Sequence, residues 1–459
     1  MVRPKQIVIL GAGISGLTTA WFLKQFLDEA VRITVVEKSC RAGGWIESLR
    51  LQEFLFEQGP RSCRTKGNGR ETLRLVEELG LQDQIIAAHP SARSRFVYHQ
   101  KSLHSLPSHP LAMPFNPLMK GWLKACWRDW TSPKSAEEDE SLHAFFSRRL
   151  GSDWCDRLID PFISGIYAGD SRKLSIQSCF PVLWQWEQEH GSLLKGAWRH
   201  PRRPPSESAF VSKWEKEPIF SFKQGMERLT NELAKQLEEM IRFSCEPKAI
   251  QFTSKEVRIT LTSGEQIEAD RVISAIPALS LAPLLASHST LAEQLQAIPY
   301  ATLMVVNLGY RKKILKSDAF GYLIPSQEKE AILGCVFDSC VFPQQNACEE
   351  ETRLTVMIGG TRYPEVETYS EKRGKEIALE AMQNHLGIDA EPDVTYVRLA
   401  RQAIPQYEVG HQHLLSSLRR QLASLPRLTL TGNSFDGVSV NDRVAQARIL
   451  AEDFARSSS

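Results

Sequence analysis

The order of apolar and polar residues is most regular at the start of the chain. An apolar run at 6–10 has the composition of a strand that is buried on both faces of a parallel sheet. A helical segment follows at 17–26, and a second β-branched run at 32–36 ends at Glu37. The pattern therefore predicts a β-α-β unit with a glycine-rich turn between its first strand and its helix.

This turn has the spacing of a dinucleotide-binding loop. Gly11 permits a tight turn, Gly13 lets a pyrophosphate approach the backbone, and Gly16 allows the helix to pack closely on the strand. The helix N-terminus would face the phosphates, and Glu37 would accept hydrogen bonds from ribose hydroxyls. A plain glycine-rich turn is the alternative. The predicted cofactor-binding loop comprises Gly11, Ala12, Gly13, Ile14, Ser15 and Gly16.

The loop after Glu37 indicates which dinucleotide is bound. Arg41 could neutralise a pyrophosphate, although an arginine in such a loop is more often a solvated surface charge. Gly43 and Gly44, followed by Trp45, let the backbone pass close to a bulky cofactor. The spacing Glu-x-x-x-Arg-x-Gly-Gly resembles the signature of amine-oxidase-like flavoproteins, and this resemblance implies FAD rather than NAD.

The C-terminal segment is predicted to supply a second half of the cofactor site. A strand at 427–431 leads into a loop at 432–440, and a helix then begins at Asn441, the predicted N-cap, and continues to about Phe454. A helix N-terminus carries about half an elementary positive charge, which would favour the anionic reduced flavin. The alternative is a capped helix that only closes the sheet.

The middle of the chain is predicted to return to the first sheet. A hairpin at 256–268 precedes an apolar strand at 271–277, which ends at a proline. The predicted fold class is therefore α/β, with a Rossmann-like FAD-binding domain that is discontinuous and comprises residues 1–87, 215–280 and 405–459.

Composition and charge exclude several classes of protein. The 459 residues carry 56 Lys and Arg against 54 Asp and Glu, and a net charge of +2 excludes a nucleic-acid binder that works by bulk charge. The nine cysteines form no C-x-x-C pair, so we predict no metal site, no disulfide framework and a reducing compartment. The uncharged stretch 272–292 is interrupted by Pro277 and Pro283, so we predict no transmembrane helix.

Residues 117–130 have the pattern of an amphipathic basic helix. The apolar stripe consists of Met119, Trp122, Leu123, Cys126, Trp127 and Trp130, and the basic stripe consists of Lys120, Lys124 and Arg128. This composition is typical of a helix that lies in a membrane interface. A helix that faces the core and has a solvated basic back is the commoner explanation of such a pattern.

Short runs along nearly the whole chain resemble the family of oxygen-dependent protoporphyrinogen and coproporphyrinogen oxidases, FAD enzymes of haem synthesis. These runs lie at 59–62, 94–98 with 106–107, 164–170, 174–181, 306–310, 320–325, 404–407 and 432–442. One departure is visible. Many members place an aromatic residue shortly before Ile404, whereas residues 398–403 here read RLARQA.

The resemblance implies cofactor and substrate contacts residue by residue. An apolar tetrapyrrole with propionates would pair with Arg95, whose guanidinium fork suits a carboxylate, and would lie near Gly169 and Leu308. Lys248 falls where the backbone meets the adenine end of FAD. The other residues on the family's FAD positions are Glu37, Arg41, Gly43, Gly44, Trp45, Gly59, Pro60, Arg61, Ser62, Gly432, Asn433, Val438, Ser439 and Val440.

The resemblance also implies an architecture and a reaction. A helical membrane-associating domain would span 88–205, and a mixed-sheet substrate-binding domain would span 281–404. FAD would accept hydride in three successive two-electron oxidations of protoporphyrinogen, and O2 would reoxidise it to give hydrogen peroxide. No catalytic base is needed, because the protein supplies position and field. The alternatives are coproporphyrinogen as substrate, an amine or carotenoid substrate, and a dinucleotide-binding module without catalysis.

Partners and location follow from the same resemblance. The expected partners are the porphyrinogen, O2, a membrane surface, a second copy of the chain and, downstream, ferrochelatase, with no nucleic acid among them. We expect a cytoplasmic protein that associates peripherally with the cytoplasmic membrane.

Overall fold

Two large sheets, one parallel and one mixed, organise the chain in the computed structural model, which describes residues 5–28, 31–107, 110–200, 204 and 206–458. The strands are β1 (Lys5–Leu10), β2 (Val31–Val36), β3 (Ser48–Leu51), β4 (Phe54–Glu57), β5 (Cys63–Arg64), β6 (Ile85–Ala87), β7 (Phe96–His99), β8 (Ser102–Ser105), β9 (Ile219–Phe222), β10 (Ile241–Arg242), β11 (Pro247–Phe252), β12 (Val257–Leu261), β13 (Gln266–Ala269), β14 (Arg271–Ser274), β15 (Tyr300–Tyr310), β16 (Gly321–Leu323), β17 (Ile332–Val336), β18 (Thr352–Gly359), β19 (Val394–Pro405) and β20 (Leu428–Leu430).

Helices cover one face of the parallel sheet, and the three-stranded sheet β11-β12-β13 packs together with further helices on its other face. A helix also packs on one face of the mixed sheet. The helices are α1 (Ile14–Phe26), α2 (Gly69–Glu78), α3 (Trp122–Thr131), α4 (Leu142–Leu150), α5 (Ser152–Trp154), α6 (Asp160–Tyr167), α7 (Ile176–Cys179), α8 (Pro181–His190), α9 (Leu193–Arg199), α10 (Ala209–Trp214), α11 (Glu227–Gln236), α12 (Ala278–Leu281), α13 (Ser289–Gln296), α14 (Asp338–Val341), α15 (Glu371–Leu386), α16 (His411–Leu422) and α17 (Val440–Ser458).

The parallel sheet has the strand order β10-β2-β1-β14-β20, and each neighbouring pair is parallel. Its central strand is buried on both faces. Ile7 and Ile9 pack into an apolar cluster with α1 and α17, whereas Val8 and Leu10 pack into a second cluster on the opposite face. This double burial is the reason that the first strand reads as an unbroken apolar run. Strands from the start, middle and end of the chain thus share one sheet.

The mixed sheet has the order β19-β15-β18-β17-β16-β7-β8. All of its neighbouring pairs are antiparallel except β16 and β7, where Tyr322 lies opposite Phe96 and Leu323 opposite Val97. Strands β7 and β8 lie inside the segment 88–205, which we expected to be helical. That expectation is wrong for residues 96–105, because two four-residue strands are recognisable only when the sheet that they extend is known.

The helical region, α3 to α9, is held together by buried charges. Arg149 is fully buried, and its Nε atom donates to Glu187 Oε1 at 2.5 Å. Asp129 is also fully buried and accepts a hydrogen bond from the backbone nitrogen of Leu194, at the start of α9, at 2.9 Å. Asp129 and Ala125 therefore form the inward face of α3. Among the residues that the structure describes, no helix is both long enough and apolar enough to cross a membrane.

Asp160, at the start of α6, connects the helical region to the mixed sheet. Its carboxylate is fully buried, forms an ion pair with Arg362, and accepts hydrogen bonds from the Ser326 backbone nitrogen at 2.9 Å and the Ser171 hydroxyl at 2.8 Å. Although burial alone would raise the pKa of Asp160, the Arg362 guanidinium and these hydrogen bonds bring that pKa below its usual value. Helix α6 is thereby fixed beside the mixed sheet.

Candidate active site

The loops that follow β1, β2, β14 and β20 meet at one edge of the parallel sheet, because the carboxyl ends of parallel strands lie together. We call this the cofactor edge. Gly11, with φ +95°, donates from its backbone nitrogen to Val36 at 2.8 Å. The Ala275 carbonyl oxygen lies 3.6 Å from the position that a Cβ on Gly11 would take and 3.5 Å from the equivalent position on Gly432. The two ends of the chain therefore face each other across β14.

Glu37 connects the glycine-rich turn to the loop after β2. Its Oε2 atom accepts a hydrogen bond from the Ala12 backbone nitrogen at 2.8 Å, and Oε1 accepts from the Ser39 backbone nitrogen at 2.9 Å. Gly43 in turn donates from its backbone to the Ala12 carbonyl at 2.8 Å. The predicted ribose-binding acid thus lies directly beside the turn, and Ile14, Ser15 and Gly16 form the first turn of α1.

Arg41 does not project as a free cation. Its Nη2 atom donates to the Gly44 carbonyl at 2.7 Å and to Glu47 Oε2 at 3.0 Å, and Nη1 lies 3.7 Å from Glu227 Oε1. The loop therefore wraps around this guanidinium, which is already paired with the carboxylates of Glu47 and Glu227. The contact of Arg41 with a pyrophosphate stays a prediction, and backbone N–H groups of the loops are also available for that purpose.

The loops at the cofactor edge approach each other through their backbones. A Cβ on Gly44 would lie 3.2 Å from the Gly13 Cα atom, and a Cβ on Gly59 would lie 2.0 Å from the Trp45 carbonyl oxygen. The loops at 11–16, 41–47 and 59–62 are consequently stacked, with little room for a side chain at Gly44 and none at Gly59. A planar cofactor could approach such a surface closely. The surface comprises predicted cofactor-binding residues, namely Gly13, Gly43, Gly44, Trp45, Gly59, Pro60 and Ser62.

Buried polar atoms without partners lie directly beside this stack. Gln58 is only 2% exposed, yet neither its Nε2 nor its Oε1 atom has a hydrogen-bond partner among the described residues. The same holds for Nη1 of Arg61, which lies 3.7 Å from Asp338 Oδ1, and for Nδ2 of the fully buried Asn307. Because buried polar groups are nearly always hydrogen-bonded, these atoms fit a ligand with both donors and acceptors, as the pyrimidine edge of a flavin has. Sequence reasoning missed Gln58 and Asn307.

Glu57, immediately before Gln58, is a buried acid at the same edge. Burial raises its pKa to about 7, against the lowering effect of hydrogen bonds from the Met226 backbone nitrogen at 2.7 Å and the Ser48 hydroxyl at 2.8 Å. The nearby Arg61 guanidinium also lowers this pKa, whereas Asp338 raises it. The cofactor edge thus contains an acid that titrates near neutral pH.

The C-terminal loop is held by Tyr407. Its hydroxyl donates to the Asn433 carbonyl at 2.5 Å and accepts from the Gly437 backbone nitrogen at 3.0 Å. Val438 packs against the apolar cluster of the helical region, and Gly432 and Asn433 follow β20 directly. The predicted residues of this loop therefore lie between the cofactor edge and the helical region.

The helix after this loop begins earlier than predicted. Helix α17 starts at Val440, and Ser439 caps it: the Ser439 hydroxyl accepts from the Asp442 backbone nitrogen at 3.1 Å, and Asp442 Oδ2 accepts from the Ser439 backbone nitrogen at 3.3 Å. The prediction of Asn441 as the N-cap is wrong. Asn441 instead accepts from the Thr72 hydroxyl at 2.7 Å and donates to the Arg64 carbonyl at 2.9 Å.

Lys248 is an exposed residue on β11. The chain just before it approaches the loop of Glu37, since the backbone nitrogens of Ser244 and Cys245 donate to the Ser39 and Glu37 carbonyls, each at 2.9 Å. The segment that contains Lys248 therefore begins beside the loop after β2. Tyr407 lies at the opposite end of the cofactor edge, beside the loop after β20.

Partly buried apolar side chains surround Met357 where the mixed sheet lies beside Trp45. Met357 on β18 is partly exposed and packs against three separate apolar clusters. Ile404 packs against two of these clusters, and Trp45 packs against one of the two. Phe320 packs against the third cluster, which Trp45 does not contact. We define the apolar slot by these four partly buried residues, Trp45, Phe320, Met357 and Ile404.

The three predicted substrate residues have different positions relative to this slot. Arg95 is exposed and its guanidinium carbon lies 4.9 Å from the centre of the Phe320 ring. Gly169 is buried, and a Cβ there would meet the Gln406 Oε1 atom at 2.2 Å, close to Ile404. Leu308, however, is fully buried on the other face of β15, in the cluster packed by α15. The prediction for Leu308 is therefore not supported, because strand residues alternate between faces and it is Asn307 that shares the face of Trp45.

The missing aromatic residue before Ile404 has a structural explanation. Ala400 and Ala403 are buried in the cluster beside Trp45, where their small side chains leave room for its ring. The Arg398 guanidinium lies 5.5 Å from the centre of that ring and its Nη1 atom lies 2.6 Å from Glu47 Oε2. Trp45 is thus covered by an arginine rather than by a second aromatic ring.

Comparisons with known proteins agree with this geometry. The family model described as flavin containing amine oxidoreductase matches residues 14–453. The chain is 38% identical to the protoporphyrinogen oxidase of Bos taurus over 475 residues, which covers 98% of this chain and 99% of the relative. It is 28% identical to the coproporphyrinogen III oxidase of Bacillus subtilis over 467 residues, which covers 98% and 97%.

A solved structure agrees in fold. A provisionally named protoporphyrinogen oxidase from Exiguobacterium superimposes with a TM-score of 0.84 over 99% of both chains, at 24% identity. Its similarity supports an amine-oxidase-like architecture with a mixed sheet. Together with the family match, these similarities show that the chain belongs to the flavin-containing amine oxidoreductases, a family of FAD-binding oxidoreductases.

Proposed function

We propose that the protein oxidises protoporphyrinogen IX to protoporphyrin IX, with O2 as acceptor and hydrogen peroxide as by-product. The observation that carries the proposal is the apolar slot beside the cofactor edge, with the guanidinium of Arg95 over the Phe320 ring at one end. An apolar macrocycle with carboxylate side chains requires both features. The Bos taurus relative, named for this substrate, is similar over nearly its whole length.

The residues around the slot perform positioning rather than acid–base chemistry. Bound FAD supplies a two-electron acceptor for hydride. The unpartnered atoms of Gln58 and Arg61 are available to hydrogen-bond its polar edge, and the N-terminus of α17, capped by Ser439, favours negative charge there. Arg95 orients the substrate by holding a carboxylate, and the apolar slot excludes water from the reacting carbon.

A second candidate substrate is coproporphyrinogen III, because the Bacillus subtilis relative is named for it. This substrate carries four propionates, whereas protoporphyrinogen IX carries two. The slot has apolar residues on several sides and Arg95 at one end, which suits a macrocycle with carboxylates on one side only. We therefore favour protoporphyrinogen.

The experiment is anaerobic mixing of the FAD-loaded protein with each porphyrinogen. Protoporphyrinogen should bleach the flavin absorbance, and admission of air should restore it with the appearance of porphyrin fluorescence and hydrogen peroxide. Faster bleaching and turnover by coproporphyrinogen would replace the proposal with its alternative. Absence of bleaching by either substrate would exclude both.

Peripheral contact with a membrane is the second part of this proposal. Leu123, Trp127 and Trp130 on α3 are 65%, 70% and 51% exposed, and Lys124 and Arg128 beside them are also exposed. Three of the six residues of the predicted apolar stripe are therefore exposed, whereas Met119 is buried and the inward side of α3 carries Ala125 and Asp129. Exposed tryptophans among basic residues favour the interface of an anionic bilayer. The predicted second copy and ferrochelatase contact stay predictions.

Sedimentation with vesicles tests this contact. The wild type should bind vesicles of phosphatidylglycerol and phosphatidylcholine, and the double variant Trp127→Ser/Trp130→Ser should bind about tenfold or more weakly, because two large apolar side chains are lost. Phe243→Ser is the matched control, since Phe243 is 40% exposed beyond β10 of the parallel sheet. Equal binding of the wild type and the double variant would contradict the proposal.

A further inference from the structure

A second arginine, Arg64, shares the surroundings of Arg95. Arg64 is on β5, where it lies directly opposite Ile219, while its neighbour Cys63 lies opposite Phe220. Directly opposed residues of an antiparallel pair project from the same face of the sheet. Cys63 and Phe220 both belong to the core of the parallel sheet, so the Arg64 side chain projects from the other face, together with Ile219.

That other face leads to the apolar slot. Ile219 belongs to the apolar cluster against which Phe320 and Met357, two residues of the slot, also pack. The guanidinium of Arg95 lies over the same Phe320 ring. Arg64 and Arg95 therefore reach one end of the slot from two different segments of the chain.

Within the part of the chain that the structure describes, neither of these charges is compensated. Both side chains are exposed, and neither guanidinium forms an ion pair with a carboxylate of the described residues. The positions of both residues beside the Phe320 and Ile219 cluster place them near each other. In agreement, partial burial and then the positive charge of Arg64 lower the pKa of Arg95. Two uncompensated positive charges beside an apolar surface are an arrangement that an anion with more than one carboxylate would relieve.

We propose that Arg64 and Arg95 bind the two carboxylates of one substrate molecule, and that Arg64 is a specificity-determining residue. This inference rests on the proposed function, because protoporphyrinogen IX carries its two propionates on neighbouring pyrroles. A guanidinium for each propionate fixes the macrocycle in the plane of the slot, which a single ion pair at Arg95 leaves free to rotate.

The backbone of Arg64 also links this carboxylate site to the cofactor edge. Its carbonyl accepts from Asn441 Nδ2 at 2.9 Å, and Asn441 lies in the first turn of α17. The second carboxylate site is therefore held by the same helix N-terminus that borders the cofactor edge. The position of Arg64 relative to the cofactor edge is consequently fixed by this contact.

The test compares Arg64→Met with Arg64→Lys and with the control Lys66→Met, which removes a positive charge from an exposed residue nearby. With protoporphyrinogen IX, Arg64→Met should raise KM about three- to tenfold with little change in kcat, as expected for one partly screened carboxylate contact. Arg64→Lys should recover part of the loss, and Lys66→Met should leave KM unchanged. Flavin content checks that each variant is folded.

A binding measurement supplies a readout other than turnover. Quenching of porphyrin fluorescence should show that the FAD-loaded wild type binds protoporphyrin IX more tightly than its dimethyl ester, and Arg64→Met should reduce this preference about three- to tenfold. An unchanged preference, or an effect no larger than that of Lys66→Met, would overturn the inference. If the wild type does not oxidise protoporphyrinogen at all, the proposed function fails, and the preference for the free acid still tests Arg64.

Discussion

The cofactor edge and the apolar slot adjoin each other but are built in opposite ways. At the cofactor edge, backbone atoms make the close contacts, and the charged side chains of Glu37 and Arg41 already have partners. In the slot, side chains from distant segments converge, and the charges of Arg64 and Arg95 have no carboxylate partner among the described residues. The cofactor edge therefore pairs these two charges internally and leaves mainly uncharged polar atoms for its ligand, such as those of Gln58, whereas the slot keeps two positive charges available.

The largest expected effect is a loss of stability in a variant that disturbs the slot and leaves the cofactor edge intact. Asp160→Ala removes the carboxylate that joins α6 to the mixed sheet and leaves Arg362, 13% exposed, without its partner. Removing one partner of a buried pair costs about 3–5 kcal/mol. Urea unfolding should show a loss of this size, and KM should rise while the folded fraction keeps its flavin. Glu376→Ala, from the exposed pair with Arg373, should cost less than about 1 kcal/mol. Similar losses in the two variants would contradict the role of Asp160.

The second prediction concerns pH and the cofactor edge alone. The pKa of Glu57 rises from 4.5 to about 7 on folding, so the folded protein binds an extra proton between these pH values. Its contribution to stability is complete below pH 4.5 and is lost as pH rises through 7, by about 3 kcal/mol in all. When the free energy of unfolding is measured from pH 4.5 to 8, Glu57→Gln should remove this part of its decrease with pH. Parallel curves for the wild type and the variant would show that Glu57 does not titrate in this range.

The third prediction breaks the backbone stack. Gly59→Ala would place a Cβ 2.0 Å from the Trp45 carbonyl oxygen, so the loops must separate. Overpacking of this kind costs about 1–3 kcal/mol, and flavin affinity should fall about tenfold or more. The ratio of flavin to protein absorbance after dialysis measures it. Lys66→Ala is the control, because Lys66 is an exposed residue of the segment that follows the stack. Full retention of flavin by Gly59→Ala would argue against a cofactor at this stack.

The smallest expected effect is a change in KM that concerns the slot alone. Arg95→Ala should raise KM for protoporphyrinogen about tenfold, because one exposed carboxylate contact is lost, and should leave FAD bound. Arg93→Ala, an exposed arginine on the preceding turn, serves as the control. Unchanged steady-state kinetics in Arg95→Ala would remove Arg95 from the site.

The same contrast explains what could be predicted from the sequence. The glycine-rich turn and the strands beside it depend on neighbouring residues, so their spacing indicates the fold and the cofactor. The cap of α17 could also be predicted from the sequence. Ser439 and Asp442 have the spacing of a capping box, in which Ser439 rather than Asn441 is the cap.

The slot could be predicted only in part. Leu308 shares a recognisable run with Asn307, but which of two adjacent strand residues faces the slot depends on how β15 pairs with β18. Gln58 and Arg64 carry no pattern of their own, because their importance comes from missing partners and from strand pairing. Strands β7 and β8 were missed for the same reason: their pairing partners lie far along the chain.

The meeting of the chain's two ends at the cofactor edge has a consequence for biosynthesis. Strand β20 and helix α17 are the last elements of the described chain, and Gly432 faces the turn at Gly11 only when both are in place. A nascent polypeptide still lacking them can fold its opening β-α-β unit but cannot enclose the isoalloxazine. Uptake of the cofactor therefore reports that β20 and α17 have been synthesised and have docked against the opening β-α-β unit. The bound cofactor then stabilises this docked arrangement.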